Sequence, residues 1–537
     1  MRCLPLNRST LLVELAGLDE VLALQESLKR QPLEGIKEIL PAARTLLLRF
    51  DPARLPRRML AEALTQRELS VGLRTPGPLI EIPMRYDGED LAEVARLTGL
   101  TVDEVIHRHG QSEFTVGFGG FSPGFAYLVG GDPVLHVPRR ATPRARVAAG
   151  SVGLGGVYCG VYPQTSPGGW QIIGTTPISL WDPARDPPAL LAPGTRVRFG
   201  DLARMTASTA SPADIAASRG LSDRPLTDRG LPDRGLHLEV IAAMLPALIQ
   251  DLGRPGHGDI GVTVSGALDR AALQAANHAV GNPEGLAGLE ITLGSFALRC
   301  SGAMQIALAG APAPLSVQRA SGEIIEVPLE QSIDLGPGDC VKLGYPSRGV
   351  RTYLAVGGGF SVPQLLGSAS RDTLAALGPA PLVKGSILAL AQAADSVTRR
   401  GIARPRTRTA AQGLPAYGDL VELDVFFGPR ADWFEADSLE ALFEQAWQVT
   451  PQSSRVGLRL RGEHPLQRCR REELPSEGVT RGAIQVPHDG QPVLLLADHP
   501  VTGGYPVIAV VAEHHLDLAG QIPPGARIRL RRIVLGD

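Results

Sequence analysis

The spacing of apolar positions predicts a small α/β unit at the start of the chain. Residues 18–30 (LDEVLALQESLKR) place apolar side chains at helical intervals, with Asp19 near the start. Asp51–Pro52 suits the start of a second helix, as an N-cap followed by proline at the first helical position. Short apolar runs predict strands at 9–15, 35–40, 45–50 and 78–86. The order β-α-β-β-α-β predicts a ferredoxin-like sandwich over residues 1–82.

Residues 83–204 show a different pattern of predicted elements. Two short helices are predicted at 90–100 and 101–110, and Thr101 with Glu104 matches a capping box at the start of the second. From Glu113 to Arg198 short apolar runs alternate with Gly and Pro turns. This alternation is typical of a small antiparallel barrel or sandwich.

The second half of the chain is again rich in predicted strands. One clear helix is expected at 267–280 and a helical patch at 437–447. The tail returns to strands in the runs GAIQVP, QPVLLLAD, YPVIAVVAE and ARIRLRRIVL. Residues 205–236 are small and polar and carry the imperfect repeat SDRPL, TDRGL, PDRGL, which predicts a flexible tether or, less simply, an interaction motif. A second linker around 399–418 divides the second half.

Composition narrows the function classes. The 537 residues carry 53 basic and 55 acidic side chains, a net charge of −2, and only 4% are aromatic. No basic excess or set of stacking aromatics points to nucleic acid or to an anionic membrane surface. No apolar run is long enough to span a bilayer, and no secretory leader is evident, so a cytoplasmic location is expected. The five cysteines form no C-x-x-C pair, which argues against a disulfide framework or a zinc site.

The densest candidate chemistry lies between Gly119 and Gly174. Three arginines, Arg139, Arg140 and Arg144, lie beside prolines that stiffen the loop. Their planar guanidinium groups match carboxylate or phosphate, although a solvated basic turn explains them equally well.

Two further features of the first half have alternative explanations. Gly168 and Gly169 in SPGGW could present backbone N–H groups to an anion or could form an ordinary tight turn. His109 ends the helix 101–110, where it could reach a site or cap the last carbonyls. No P-loop motif occurs in the chain.

In the second half, polar groups stand beside glycine turns at the ends of predicted strands. One group is Asp251 and Arg254, and another is Gln485, Asp498 and Tyr505. Such placement suits a site at a barrel mouth, and polar barrel turns are the ordinary alternative.

Long strings of the chain resemble two related families. Residues 8–205 resemble the B-type 5-oxoprolinase family, also called the allophanate hydrolase subunit 1 domain, in the strings GFSPGFAYL, PRRATPR, AGSVG and VYPQTSPGGWQIIGTTP. Residues 237–537 resemble the C-type 5-oxoprolinase family, the allophanate hydrolase subunit 2 domain, in strings such as IQDLGRPG, GVTVSGALD, LLGSASRD and GAIQVPHDGQPVLLLAD. The resemblance implies a mostly β chain with three cyclophilin-like barrels, at 83–204, 237–400 and 401–537, behind the small N-terminal domain.

The resemblance also implies an activity. The family's enzyme opens 5-oxo-L-proline to L-glutamate with ATP hydrolysis and needs a separate A-type protein; phosphorylation of the lactam oxygen, with Mg²⁺, would create a leaving group. The implied roles are anion binding by Arg139, Arg140, Arg144, Arg254 and the backbone of Gly168 and Gly169, and catalysis by His109, Asp251, Gln485, Asp498 and Tyr505, with Asp251 or Asp498 as a metal ligand. A homo-oligomer is compatible with it.

Two other functions stay open on the same resemblance. The pair of domains is similar to the carboxyltransferase region of urea carboxylase, which would need a biotin-carrying partner, because neither Lys342 nor Lys384 lies in a biotin-acceptor context. Some B-type relatives are regulators of a histidine kinase, which would make this chain non-catalytic. Allophanate hydrolysis is disfavoured because the amidase signature is missing.

Overall fold

The computed structural model describes residues 1–69, 77–202, 235–391, 413–470 and 472–534. The predicted tether at 205–236 lies outside these residues except for 235 and 236, and the second linker is described only from residue 413. The described residues are rich in strands with few helices, which confirms the mostly β prediction.

The N-terminal unit is a four-stranded antiparallel sheet with two helices. Its elements are β1 (Arg2–Pro5), β2 (Thr10–Glu14), α1 (Leu18–Arg30), β3 (Ile36–Pro41), β4 (Thr45–Phe50) and α2 (Arg57–Thr65), with strand order β1-β2-β4-β3. Alternate residues of a strand point to opposite faces. Leu11 and Leu48 therefore pack under the helices, while Leu12 and Leu47 pack against apolar side chains from residues 479–510. Burial of both faces explains why β2 and β4 are almost continuously apolar.

Two predictions for this unit are wrong. The strand predicted at 78–86 does not close the N-terminal sheet: β5 (Leu79–Met84) pairs in parallel with a strand at Arg196–Asp201 instead. The second helix begins at Arg57 and not at Asp51, because the Asp51 carboxylate accepts the backbone N–H of Ala53 and shapes a turn.

The second unit is a seven-stranded sheet with a two-stranded ribbon. Its elements are β5, α3 (Leu91–Thr98), α4 (Val102–Gln111), β6 (Glu113–Gly119), β7 (Ala126–Gly130), β8 (Arg144–Val147), β9 (Ser151–Gly155), β10 (Tyr158–Val161), β11 (Ser166–Gly168), β12 (Gln171–Thr175) and β13 (Arg196–Asp201). The sheet order is β12-β9-β10-β7-β6-β13-β5, and β8 pairs with β11. The predicted capping box is confirmed, since Thr101 and Glu104 each accept the other's backbone N–H.

The third unit is built from two sheets, of six and five strands. Its strands are β14 (His237–Ala243), β15 (Leu248–Gln250), β16 (Gly288–Thr292), β17 (Phe296–Cys300), β18 (Met304–Gly310), β19 (Leu315–Gln318), β20 (Ile324–Glu326), β21 (Ile333–Leu335), β22 (Cys340–Leu343), β23 (Arg351–Val356) and β24 (Ile387–Ala389). The predicted helix is α5 (Arg270–Ala279), whose N-cap Asp269 accepts the N–H of Ala272.

The fourth unit is a closed barrel ordered β25-β32-β29-β30-β27-β26-β33. Its elements are β25 (Leu420–Phe427), α6 (Ala436–Glu444), β26 (Trp447–Val449), β27 (Gly457–Arg461), β28 (Glu477–Gly478), β29 (Ala483–Gln485), β30 (Val493–Leu495), β31 (Thr502–Gly503), β32 (Val507–Val511), α7 (Leu516–Ala519) and β33 (Arg527–Arg532). β28 pairs with β31 as a separate ribbon, which reaches the first half of the chain.

Candidate functional site

The run of glycine and aromatic residues after Gly119 builds an aromatic cluster. Phe118 stacks on Tyr127 with ring centroids 4.3 Å apart, and Phe125 meets Tyr127 and Trp170 edge-on at 5.1 and 5.4 Å. Tyr158 adds its ring at 5.4 Å from that of Tyr127. Edge-to-face contacts of this kind fix ring orientation as well as burying area.

The same run also contacts the second half of the chain. Gly124 N–H donates to the carbonyl of Ile260 at 3.0 Å, and Phe121 N–H donates to Thr502 Oγ1 at 3.1 Å. A Cβ at Gly120 would overlap the Thr502 side chain, so only glycine permits this approach. Several of these glycines therefore serve the junction between the halves.

A cavity of ≈1690 Å³ lies where the two halves meet. Its walls come from α1, from the turn joining β9 to β10, and from residues 473–476 of the second half. The 473–476 segment is anchored by Ser476, whose carbonyl accepts Ala43 N–H at 3.1 Å and whose hydroxyl lies 3.5 Å from Tyr127 Oη. Both halves therefore contribute walls to one ligand-sized space.

The three predicted arginines have different surroundings. Arg139 lines the cavity and forms no hydrogen bond or ion pair with any residue that the structure describes. Arg140 instead donates one hydrogen bond to the Asp90 carboxylate at 2.6 Å. Arg144 donates two parallel hydrogen bonds to the same carboxylate, both at 2.8 Å. Asp90 also accepts the N–H of Ile172 at 2.7 Å. Burial alone would raise the pKa of Asp90, but these donors hold it below its usual range.

The backbone at Gly168 and Gly169 is held by hydrogen bonds within the second unit. Gly168 lies in β11 and pairs with Arg144, and the Gly169 carbonyl accepts Arg140 N–H at 2.7 Å. Neither glycine has the positive φ that a nest of successive N–H groups requires.

His109 lies in the core of the second unit and away from the cavity. Its ring nitrogens face Tyr86 Oη at 2.9 Å and Cys159 Sγ at 3.5 Å, and its side chain is fully buried. Burial lowers the pKa of His109 to about 3, so the ring is neutral at physiological pH.

Asp251 and Arg254 lie together in a buried polar cluster. Asp251 accepts the hydroxyls of Ser368 and Ser370 at 2.6 and 2.5 Å and the backbone N–H of Ala369 at 2.7 Å. Arg254, 1% exposed, donates to the carbonyl of Ser370. Neither side chain lines the cavity between the halves.

Asp498 belongs to a second buried network that adjoins the first. Arg455 donates to it at 2.9 Å and also binds Glu290, while Ser265 and Thr373 donate hydroxyls at 2.6 and 2.7 Å. Desolvation opposes ionisation of Asp498, but Arg455 keeps its pKa below the usual range. The network joins the third and fourth units.

Gln485 and Tyr505 form a separate pair on the fourth unit. Gln485 is buried, and its amide donates to the Tyr505 carbonyl at 3.2 Å. The Tyr505 ring is 41% exposed and meets His488 edge-on at 5.8 Å.

The structure therefore divides the predicted site residues among several places, and Arg139 alone of them lines the cavity. The roles assigned to the others stay predictions. Sequence reasoning missed Asp90, which holds two of the arginines, and Tyr158, which lines the cavity. An acidic residue before a helix resembles an ordinary start signal, so nothing in the local pattern marks Asp90 as an arginine ligand.

One group of three side chains in the described ranges could hold a metal ion, namely Asp424, His514 and His515. Arg531 already donates to Asp424 at 2.6 Å, and His515 Nδ1 accepts the Asp424 backbone N–H. In the described ranges, no helix is long and apolar enough to cross a bilayer.

The residues that the structure describes form four β-rich units in two halves, and both halves contribute walls to a shared cavity. The chain belongs to the carboxyltransferase-domain family: the sequence profile of subdomains C and D matches residues 1–191, and that of subdomains A and B matches residues 260–532.

Named relatives cover the two halves separately. The chain is 34% identical over 295 residues to the C subunit of 5-oxoprolinase from Escherichia coli (strain K12), a match that covers 54% of this chain and 89% of the relative. It is 37% identical over 189 residues to the B subunit of 5-oxoprolinase from Bacillus subtilis (strain 168), covering 32% and 78%. These matches confirm both family resemblances.

Crystal structures of a protein called TTHA0988 match nearly the full length of the chain. The crystal structure of TTHA0988 is 34% identical, with a TM-score of 0.78, and the match covers 97% of this chain and 99% of that one. The joining of both halves in one polypeptide is therefore shared with that protein.

Proposed function

We propose that this chain is the fused B-type and C-type component of an ATP-dependent 5-oxoprolinase in the cytoplasm. Together with a separate A-type protein, it would open the lactam of 5-oxo-L-proline to give L-glutamate. The named relatives of the two halves support the reaction. The observation that carries the proposal is the cavity walled by both halves, with the unpaired Arg139 on its wall among the residues that the structure describes.

The cavity suits both substrates in size and charge. At ≈1690 Å³ it exceeds the roughly 300–1,000 Å³ of ordinary small-molecule pockets, which leaves room for a nucleotide beside the lactam acid. ATP would supply the phosphoryl group that makes the lactam oxygen a leaving group. The chain's own part is to hold the two substrates in line, with Arg139 as a cation for an anionic group.

The carboxylates predicted to hold Mg²⁺ do not fit that ion. The carboxylate oxygens of Asp251 accept hydrogen bonds from two hydroxyls and from backbone N–H groups. Those of Asp498 accept hydrogen bonds from Arg455, Ser265 and Thr373. Mg²⁺ prefers free oxygen ligands and water at close to octahedral angles. The proposal therefore routes no step through a metal at these residues.

We further propose that residues 1–82 and 83–204 act as the B-type part, and 237–400 with 401–537 as the C-type part. The contacts of Ser476 and Thr502 with the first half support one composite unit rather than two independent ones.

Release of glutamate from 5-oxoproline, measured with ATP and a co-expressed A-type partner, tests the proposal. We expect release only when the chain, the partner and ATP are all present. If no partner supports release, and the chain instead transfers CO₂ from carboxybiotin, the carboxyltransferase alternative replaces it.

A further inference from the structure

We propose that Tyr158 and Arg139 form a two-donor subsite in the shared cavity, and that its ligand is the carboxylate of the lactam acid. This inference rests on the proposed function for the identity of the ligand. It adds a substrate-binding residue, Tyr158, that the sequence pattern did not indicate.

The backbone brings the two residues to the same wall. Gly156 N–H donates to the Val137 carbonyl at 2.7 Å, which ties the loop before Arg139 to the turn before Tyr158. Pro138 lies between Val137 and Arg139 and restricts the backbone there. The side chains of Arg139 and Tyr158 both line the cavity on this wall.

The aromatic cluster holds the Tyr158 side chain firmly. Its ring meets those of Phe118 and Tyr127 edge-on at 5.9 and 5.4 Å, so the aromatic cluster fixes its direction. Its Oη forms no hydrogen bond with any residue in the described ranges, although the side chain lines the cavity. A fixed donor without a protein partner is available to a ligand at little entropic cost.

The chemistry of the pair favours an oxyanion. Burial raises the pKa of Tyr158 to about 12, so the hydroxyl stays protonated and donates at neutral pH. One guanidinium and one hydroxyl can each donate to one carboxylate, through charge-assisted hydrogen bonds.

A carboxylate with a single negative charge matches this pair better than a triphosphate with several. The remaining cations on the cavity wall come from other elements: Lys29 and Arg30 from α1, Arg44 from the β3–β4 turn and Arg196 from β13. Arg196 is paired with Glu113 at 3.2 Å, and Arg30 faces Glu26 at 3.8 Å. Phosphates normally require several cations at once, so we assign the carboxylate to Tyr158 and Arg139.

Calorimetric titration of the full chain with two ligands tests the assignment. The ligands are 5-oxoproline and 2-pyrrolidinone, which has the same lactam ring without the carboxylate. We expect Tyr158→Phe to weaken 5-oxoproline binding about tenfold, as loss of a hydrogen bond to a charged group does. Arg139→Gln should weaken it at least as much, and the affinity for 2-pyrrolidinone should stay unchanged in both.

The controls are Tyr345→Phe and Arg146→Gln, two exposed side chains outside the cavity wall, which should bind both ligands as the wild type does. Unchanged 5-oxoproline binding in both cavity variants, equal loss for the two ligands, or a wild type that binds no 5-oxoproline overturns the inference. A parallel titration with a non-hydrolysable ATP analogue completes the test, because a loss of affinity confined to that analogue would assign the pair to phosphate and overturn the inference. If the variants lose binding as expected but the wild type releases no glutamate, the proposed function fails and the subsite stands.

Discussion

Asp90 separates the roles of three arginines that look alike in the sequence. It binds Arg140 and Arg144 within the protein, and Arg139 is the one of the three that lines the cavity. The pairing joins residues 50 and 54 positions apart, and no spacing rule connects them. The sequence could therefore predict an anion-binding loop, but not which of the three arginines lines the cavity.

Substitution of Arg144 should act on stability more than on ligand binding. Arg144→Ala leaves Asp90 buried with one partner fewer, and loss of one partner from a buried pair costs about 3 kcal/mol. Denaturant unfolding measures this loss. Arg146→Ala, an exposed change on the same strand, should stay within about 0.5 kcal/mol of the wild type. Full stability in Arg144→Ala together with lost turnover would instead support an anion clamp at Arg144.

At the scale of elements, the loop between β6 and β7 depends on the ribbon of β28 and β31. Phe121 has a φ of 61°, in the left-handed region that a non-glycine residue rarely adopts, and its N–H is satisfied by Thr502 Oγ1 in β31. Its ring packs edge-on against Phe125 at 5.4 Å. A residue of the second half thus holds one edge of the aromatic cluster.

Thr502→Val should destabilise the folded chain, because it keeps the shape but leaves the Phe121 N–H without its acceptor. We expect the free energy of unfolding to fall by about 1–3 kcal/mol. Thr502→Ser restores the hydroxyl and should recover most of this loss. Urea unfolding of both variants measures it. Equal stability of the two would show that the hydroxyl does not hold the loop.

Periodicity predicted most elements but not every pairing. α1, α5 and the strands of the tail lie close to their predicted positions, because their apolar patterns report burial directly. The predicted pairing of β5 was wrong because the apolar pattern of a strand indicates which of its faces are buried but not which strand it pairs with. The predicted start of α2 was wrong because an Asp-Pro pair is found in turns as well as at helix N-termini.

At the scale of the whole molecule, the two halves share an apolar core and an ion pair. Leu12, Leu40 and Leu47 of the first sheet pack with Val501 and Val510 of the last unit. Arg430 also binds Glu14 at 2.8 Å across the same junction, as well as Glu477 beside it. A junction of this kind fixes the cavity walls relative to each other, which sequence alone could not show.

Hydrogen–deuterium exchange of the full chain, with and without 5-oxoproline plus a non-hydrolysable ATP analogue, tests most directly whether the cavity is the site. Slowed exchange reports the backbone that a ligand orders or covers. The account predicts slower exchange in peptides spanning the β9–β10 turn of the first half and in those spanning 473–476 of the second. Protection confined to the region of Gln485 and Tyr505, or to one half only, would contradict it.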